Sequence, residues 1–360
     1  MSHRELFRAE QLPVLQNKMF STAEEAVVCT KGDVVLVQDM ETGMVFNSAF
    51  DPELLDYSDD YQNEQACSAV FQAHLHAATV IVDRYFQGKT LIEVGCGKGY
   101  FLKHLRESGY VITGIDPAYE GTSPHIVKAR FEMGLGLSSE GVVLRHVLEH
   151  MRDPIEFLSR IASANGGKGL IYIEVPCFDW ICRHRALFDV FYEHVNYFRL
   201  ADFTRIFGAV LESGHLFGGQ YLYAVADLAT LHSPHATARD AIDFPQDFIA
   251  GVGRHICSRE ARSTESRSQQ AIWGGASKGV IFALYMKRAG VVIDCVIDIN
   301  PAKQGKYLAA SGVRVSSPQE ALALLQPETD VFVMNSNYLN EIVVQSNNRF
   351  RYLTVEHDEL

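Results

Sequence analysis

No two cysteines in this sequence are spaced Cys-x-x-Cys, no apolar run approaches the roughly 18 residues of a membrane-crossing helix, and no Lys/Arg run exists. Each shortage closes off a class of protein. Cys29, Cys67, Cys96, Cys177, Cys182, Cys257 and Cys295 are odd in number and scattered, which fits neither a disulfide framework nor a thiolate zinc cluster. With 32 basic against 44 acidic residues the net charge is −12, so a phosphate backbone is repelled and DNA or RNA is not an expected partner. The opening residues, Met1 to Pro13, contain no apolar segment of a signal peptide, and a soluble, cytoplasmic protein is expected. The closing His357-Asp358-Glu359-Leu360 spells an endoplasmic-reticulum retention signal, read as coincidence because only a chain that has entered that lumen can use it.

What remains is ordinary globular composition, 47% hydrophobic and 21% charged over 360 residues, enough for two domains or a little more. Three parts are expected. Residues 1–65 mix short apolar runs such as Val34-Val35-Leu36-Val37 with turn residues and acids, as in a small β-containing or irregular lobe. Residues 66–228 open with a helix ending near Phe86 and then alternate strand, Gly loop and helix. Strands are predicted at Thr90–Val94, Val111–Ile115, Gly141–Leu144 and Gly169–Ile173, with helices at Tyr100–Ser108 and Pro154–Ala164. A closing hairpin, Val210–Leu216 and Tyr221–Ala226, turns at Gly218-Gly219. This is an α/β pattern, a doubly wound and mostly parallel sheet with an antiparallel edge. In 229–360 a bridging helix is expected over Ile242–Ile256. A second, Rossmann-like α/β unit follows, with strands at Ala271–Trp273, Val291–Ile297 and Val331–Met334 and a helix reaching about Lys287.

The loop Glu93-Val94-Gly95-Cys96-Gly97-Lys98-Gly99-Tyr100 places an acid near a strand end, glycines at alternate positions, then a helix. Backbone there can approach a ligand closely, with a helix N-terminus facing it. A dinucleotide fingerprint requires a third glycine where Tyr100 stands. The spacing instead resembles motif I of class I S-adenosylmethionine-dependent methyltransferases. Asp116, ending the second strand, is a carboxylate that can accept bonds from ribose hydroxyls. Arg145-His146-Val147-Leu148-Glu149-His150 resembles motif IV of those enzymes, which lines cofactor and acceptor pocket. His146-x-x-Glu149-His150 also matches a zinc-peptidase pattern, but that pattern lies within a long helix, whereas here it directly follows a strand. No metal is expected. His74 and His76, two apart, cannot share a helical face and are read as surface or packing residues.

Phe191-Tyr192-Glu193-His194-Val195-Asn196-Tyr197-Phe198 gathers a base, an acid and phenols within what reads as two helical turns. Methyl transfer is an in-line displacement for which the protein aligns the nucleophile and, where needed, takes its proton. His194 is the candidate base, with Glu193 or Tyr192 as orienter or as donor to a developing oxyanion. Together with Trp273-Gly274-Gly275-Ala276-Ser277-Lys278-Gly279, the Asp298–Tyr307 segment and Asn335-Ser336-Asn337-Tyr338, these motifs resemble the family that C-methylates keto-deoxysugar nucleotides.

The resemblance covers most of residues 60–345. It implies S-adenosyl-L-methionine as cofactor, bound by Glu93, Gly95, Cys96, Gly97, Gly99, Asp116, Arg145 and His146. It also implies a small-molecule acceptor, possibly a nucleotide-linked sugar. The chain departs from that family in two places. It lacks the paired cysteines of an N-terminal zinc lobe, and it reads Phe191-Tyr192-Glu193-His194 where the family has Tyr-His-Glu-His, which leaves O- or N-methylation of a natural product open. Lys278 and Lys303 either hold an acidic group of the acceptor or serve the fold; the loop is not a Walker A motif, since Val280 follows Gly279. A nicotinamide-dependent oxidoreductase and a non-catalytic cofactor-binding scaffold are the rival readings.

Overall fold

In the computed structural model the residues described are all except 1, 56–67, 137, 238–239, 251, 256–268 and 357–360, so Cys67, Cys257 and the terminal tetrapeptide lie outside them. Ser68 caps the helix Ala69–Phe86, its hydroxyl accepting from the Val70 and Phe71 amides. Leu75, Ala78, Val82 and Phe86 recur along one face of that helix and are buried. It leads into Thr90–Val94, whose residues after Thr90 are all buried, as a central parallel strand covered on both faces must be.

That strand starts the seven-stranded main sheet. Its spatial order is Val210–Leu216, Tyr221–Asp227, Leu170–Pro176, Gly141–Arg145, Thr90–Val94, Val111–Ile115 and Ile126–Val127. The five strands from Leu170–Pro176 onward run parallel, and Tyr221–Asp227 joins them antiparallel, as the predicted hairpin requires. Chain order reverses between Thr90–Val94 and Gly141–Arg145, and crevices that bind ligands form at such a switch, beyond the carboxyl ends of the strands. The predicted helices are present at Tyr100–Glu107 and Pro154–Ala164, the second opening on its proline.

The C-terminal unit is a wholly parallel five-stranded sheet in the order Val315–Ser316, Cys295–Ile297, Gln270–Trp273, Asp330–Val333 and Arg351–Thr354. Its first strand is central too, so it has a switch point of its own. Two predictions are corrected here. The strand expected over Val291–Ile297 holds only for Cys295–Ile297, and among the described residues of Ile242–Ile256 only 250 and 252–255 are helical. Ile242, Phe244 and Phe248 are instead buried side chains, the two phenylalanines packing on Phe7.

The N-terminal lobe is no separate appendage. His3–Pro13, Lys31–Asp39 and Val45–Asn47 form an antiparallel sheet whose fourth strand is Asn196–Tyr197 from the middle of the chain. Met19–Phe20 pairs with Tyr307–Leu308 of the C-terminal unit. One apolar cluster runs from Phe7 through Ile92 and Phe188 to Phe332. No helix among the described residues is long and apolar enough to cross a membrane.

Candidate active site

A cavity of about 420 Å³ lies where the carboxyl ends of both parallel sheets meet, with Gln16 and Asn17 of the N-terminal lobe on its wall. The first glycine loop forms one side. Gly95, Gly97 and Gly99 all have positive φ, at 74°, 52° and 79°. A Cβ on Gly95 would stand 2.2 Å from a Val147 methyl, and one on Gly99 would meet Ile126 at 2.6 Å, whereas one on Gly97 would enter open space. Packing therefore fixes the outer two glycines, and Gly97 leaves the backbone bare toward the cavity. Gly99 is also the left-handed cap of Tyr100–Glu107, and without a side chain it makes no cap hydrogen bond of its own.

Glu93, Gly95, Cys96, Gly97, Arg145 and His146 all line this cavity. Glu93 is buried, its Oε2 has no hydrogen-bond partner, and burial pushes its carboxyl up to about 8 against the pull of Arg145. Asp116 lies just behind, its two oxygens accepting from the Gly97 and Ala118 amides at 2.8 Å each. It shapes the loop and is not among the cavity's lining residues.

Behind Arg145 and His146 stands Glu174, a residue no motif in the sequence pointed to. Fully buried on Leu170–Pro176, its carboxylate accepts from Arg145 at 2.8 and 3.2 Å and from the Tyr172 hydroxyl at 2.7 Å. His74 and His146 Nε2 lie 2.9 and 3.0 Å from it. Burial opposes its charge, but Arg145 and the two imidazoles outweigh that and hold the group well below the usual carboxylate range. Arg145 also stacks over Phe101 at 4.4 Å. His74 is thereby a buried partner and not a surface residue. A lone acid in an otherwise apolar strand was the signal that could have found Glu174.

His146 sits at φ 52°, in the left-handed region uncommon for a side chain of its size, between Glu174 and Glu149, whose Oε1 lies 3.5 Å from its Nδ1. Burial works against its charge, but the bonds to both carboxylates prevail and raise it to about 9. Residues Leu148–His150 form a single 3₁₀ turn directly after the strand, which is not the long helix of a zinc peptidase.

The segment 190–195 is irregular and not the helix expected, and only Asn196–Tyr197 after it is regular, as a strand edge. This parts the three predicted catalytic residues. His194 lines the cavity, with its ring 4.8 Å from Phe191 and 5.0 Å from His150. Burial, then the proximity of His150, push it down to about 3 despite Glu149, so it is neutral at physiological pH. Glu193 also lines the cavity, but its carboxylate accepts from the Gln16 amide at 3.1 Å and tethers the N-terminal lobe. Tyr192 is not in the lining: its hydroxyl accepts from the Asp51 amide at 2.8 Å and lies 3.2 Å from the Asp51 carbonyl.

The opposite wall comes from the C-terminal unit. Lys278 reaches across to Asp189 at 2.7 Å and to Gln220 at 2.9 Å, and sits 5.0 Å from the Trp180 ring centre. Gln220 and Asn335 exchange two side-chain hydrogen bonds at 2.9 and 2.8 Å. Lys303 is buried against Asp298 at 3.6 Å, whose other contacts fold the loop around the Gly275 and Asn300 amides.

A sheet of this order, with a bare glycine loop and a buried acid at its switch point, defines an S-adenosylmethionine-dependent methyltransferase. The residues fit that cofactor: Gly97 leaves an open cradle and Glu93 presents an unpartnered buried oxygen beside it. Residues 68–210 match the family model of the methyltransferase domain and residues 249–352 that of the C-methyltransferase C-terminal domain, so the chain carries both parts in tandem. It is similar to C-methyltransferase NovU of Streptomyces niveus, 22% identical over 295 residues, covering 71% of this chain and 68% of that protein. A shorter likeness, 27% over 103 residues, is to a ubiquinone biosynthesis O-methyltransferase of Caulobacter vibrioides, covering 24% of this chain and 41% of that one. A solved S-adenosylmethionine-dependent methyltransferase from Archaeoglobus fulgidus is 18% identical, covering 45% of this chain and 95% of its own, at a TM-score of 0.35.

Proposed function

We propose that this protein transfers a methyl group from S-adenosylmethionine to a carbon beside a carbonyl of a small acceptor, a keto-deoxysugar nucleotide being the leading class. The observation that carries the reading is the single cavity shared by the glycine loop, His194 and the C-terminal wall. The cofactor supplies an electrophilic methyl group and its own leaving group. The chain then has to hold the acceptor in line and receive one proton. His194 faces the cavity; burial makes its imidazole a weak base in the free protein, and the nearby Glu149 carboxylate is the group that would offset this by steadying the imidazolium formed on taking the α-proton. Glu193 acts by positioning, since it ties the residue before His194 to the N-terminal lobe.

Lys278, partly exposed on the cavity wall, is a cation available to an acidic group of the acceptor, at the cost of loosening its pair with Asp189. Tandem domains of the C-methyltransferase type and the likeness to NovU support transfer to carbon.

The test has two stages. Calorimetric titration should show S-adenosylhomocysteine binding and NADH not binding. Keto-deoxysugar nucleotides should then be methylated at carbon, with His194→Asn keeping cofactor binding and losing turnover by about 10²-fold or more. Full turnover in His194→Asn would refute the assigned base, and preference for NADH would refute the cofactor.

A further inference from the structure

Three potential ligand atoms meet in the corner of the cavity beyond His146. One donor atom each from Glu149, His150 and His194 lies within 4.8 Å of the others, a rotamer adjustment from the roughly 3.4 Å between ligands of a tetrahedral zinc ion. Two further observations show that this corner is arranged for a ligand. Glu149 is 2% exposed and lines the cavity; its Oε1 faces His146, while its Oε2 is buried with no hydrogen-bond partner. His150 Nδ1 lies 2.8 Å from the Glu193 carbonyl oxygen. A carbonyl only accepts, so Nδ1 carries the proton and Nε2 keeps its lone pair. This is the backbone-anchored tautomer that histidine ligands of metals adopt.

We propose that Glu149, His150 and His194 form a binding site for a divalent transition-metal cation of the zinc class, open on its cavity side. Two imidazoles and one carboxylate suit zinc, cobalt or nickel better than magnesium or calcium, which favour oxygen. The remaining coordination position faces the space assigned above to the acceptor. The site stands on these three side chains alone. Only its effect on turnover rests on the proposed role of His194, because a lone pair committed to a cation cannot also take a proton.

The experiment uses the full chain freed of metal with a chelator. Zn²⁺ is titrated by calorimetry, and Co²⁺ by its visible absorption, which also distinguishes nitrogen and oxygen ligands from thiolates. One equivalent should bind, with His150→Ala and Glu149→Gln each weakening it at least tenfold; S-adenosylhomocysteine binding by both variants would show that the fold survives. If either variant fails that check, His194→Asn, altered at a partly exposed residue, takes its place. Absence of a saturable one-equivalent site, or affinity unmoved by these substitutions, overturns the proposal. Zn²⁺ should also inhibit methyl transfer over its binding range. Saturable binding with undiminished transfer would leave the cation site standing and refute His194 as proton acceptor.

Discussion

Glu174 is the residue on which the floor of the site depends. Arg145, His146, His74 and the Tyr172 hydroxyl all converge on a carboxylate with no exposure. Replacing it by glutamine would leave the Arg145 charge buried without its counter-ion, and Glu174→Gln should cost about 3–5 kcal/mol in urea unfolding. Glu93 has the opposite sign. Its folded carboxyl is raised from about 4.5 to about 8, so the folded protein binds the proton more tightly than the unfolded chain does. Stability from this group is present below the unfolded value and is lost as pH climbs toward 8. Unfolding measured from pH 5 to 8 should therefore fall more steeply for wild type than for Glu93→Gln. Parallel curves would show that Glu93 is ionised in the free protein.

The glycine loop makes its prediction at the level of the element. Gly97→Ala adds a methyl group to open space at a positive φ and should cost about 1–2 kcal/mol of stability. The same methyl group occupies the cradle, so cofactor affinity should drop well beyond that loss. Gly95→Ala meets Val147 at once and should compromise folding itself. Thermal melts with and without S-adenosylhomocysteine separate the two outcomes. These elements were legible because each repeated a local rule. Thr90–Val94, Val111–Ile115, Val210–Leu216 and Pro154–Ala164 fall where apolar alternation, helical spacing and an N-terminal proline placed them. The segment around His194 was not legible, since its helix-like spacing is overridden when Asn196–Tyr197 pairs with Val45–Phe46 far away in sequence. For the same reason the sequence could not show that Tyr192 turns to Asp51 or that His74 reaches Glu174.

At the scale of the whole molecule, no one of the three parts holds the cavity alone. A shared apolar cluster, the sheet completed by Asn196–Tyr197 and the Lys278 contacts to Asp189 and Gln220 join them. Calorimetric unfolding should accordingly give one cooperative transition, with calorimetric and van't Hoff enthalpies in agreement. Two resolved transitions would mean that the C-terminal unit is held less firmly than these contacts require.

The tie between the N-terminal lobe and the C-terminal unit also bears on how the protein is made. Asn17 donates to the Ser277 hydroxyl at 2.9 Å across 260 positions of chain, and Met19–Phe20 finds its strand partner later still. At ribosomal speeds of about 5–20 residues per second, Asn17 waits roughly 15–50 s for Ser277 to be made. Through that interval the edge of Met19–Phe20 lacks its partner Tyr307–Leu308, and the cavity can close only after the C-terminal wall has been made.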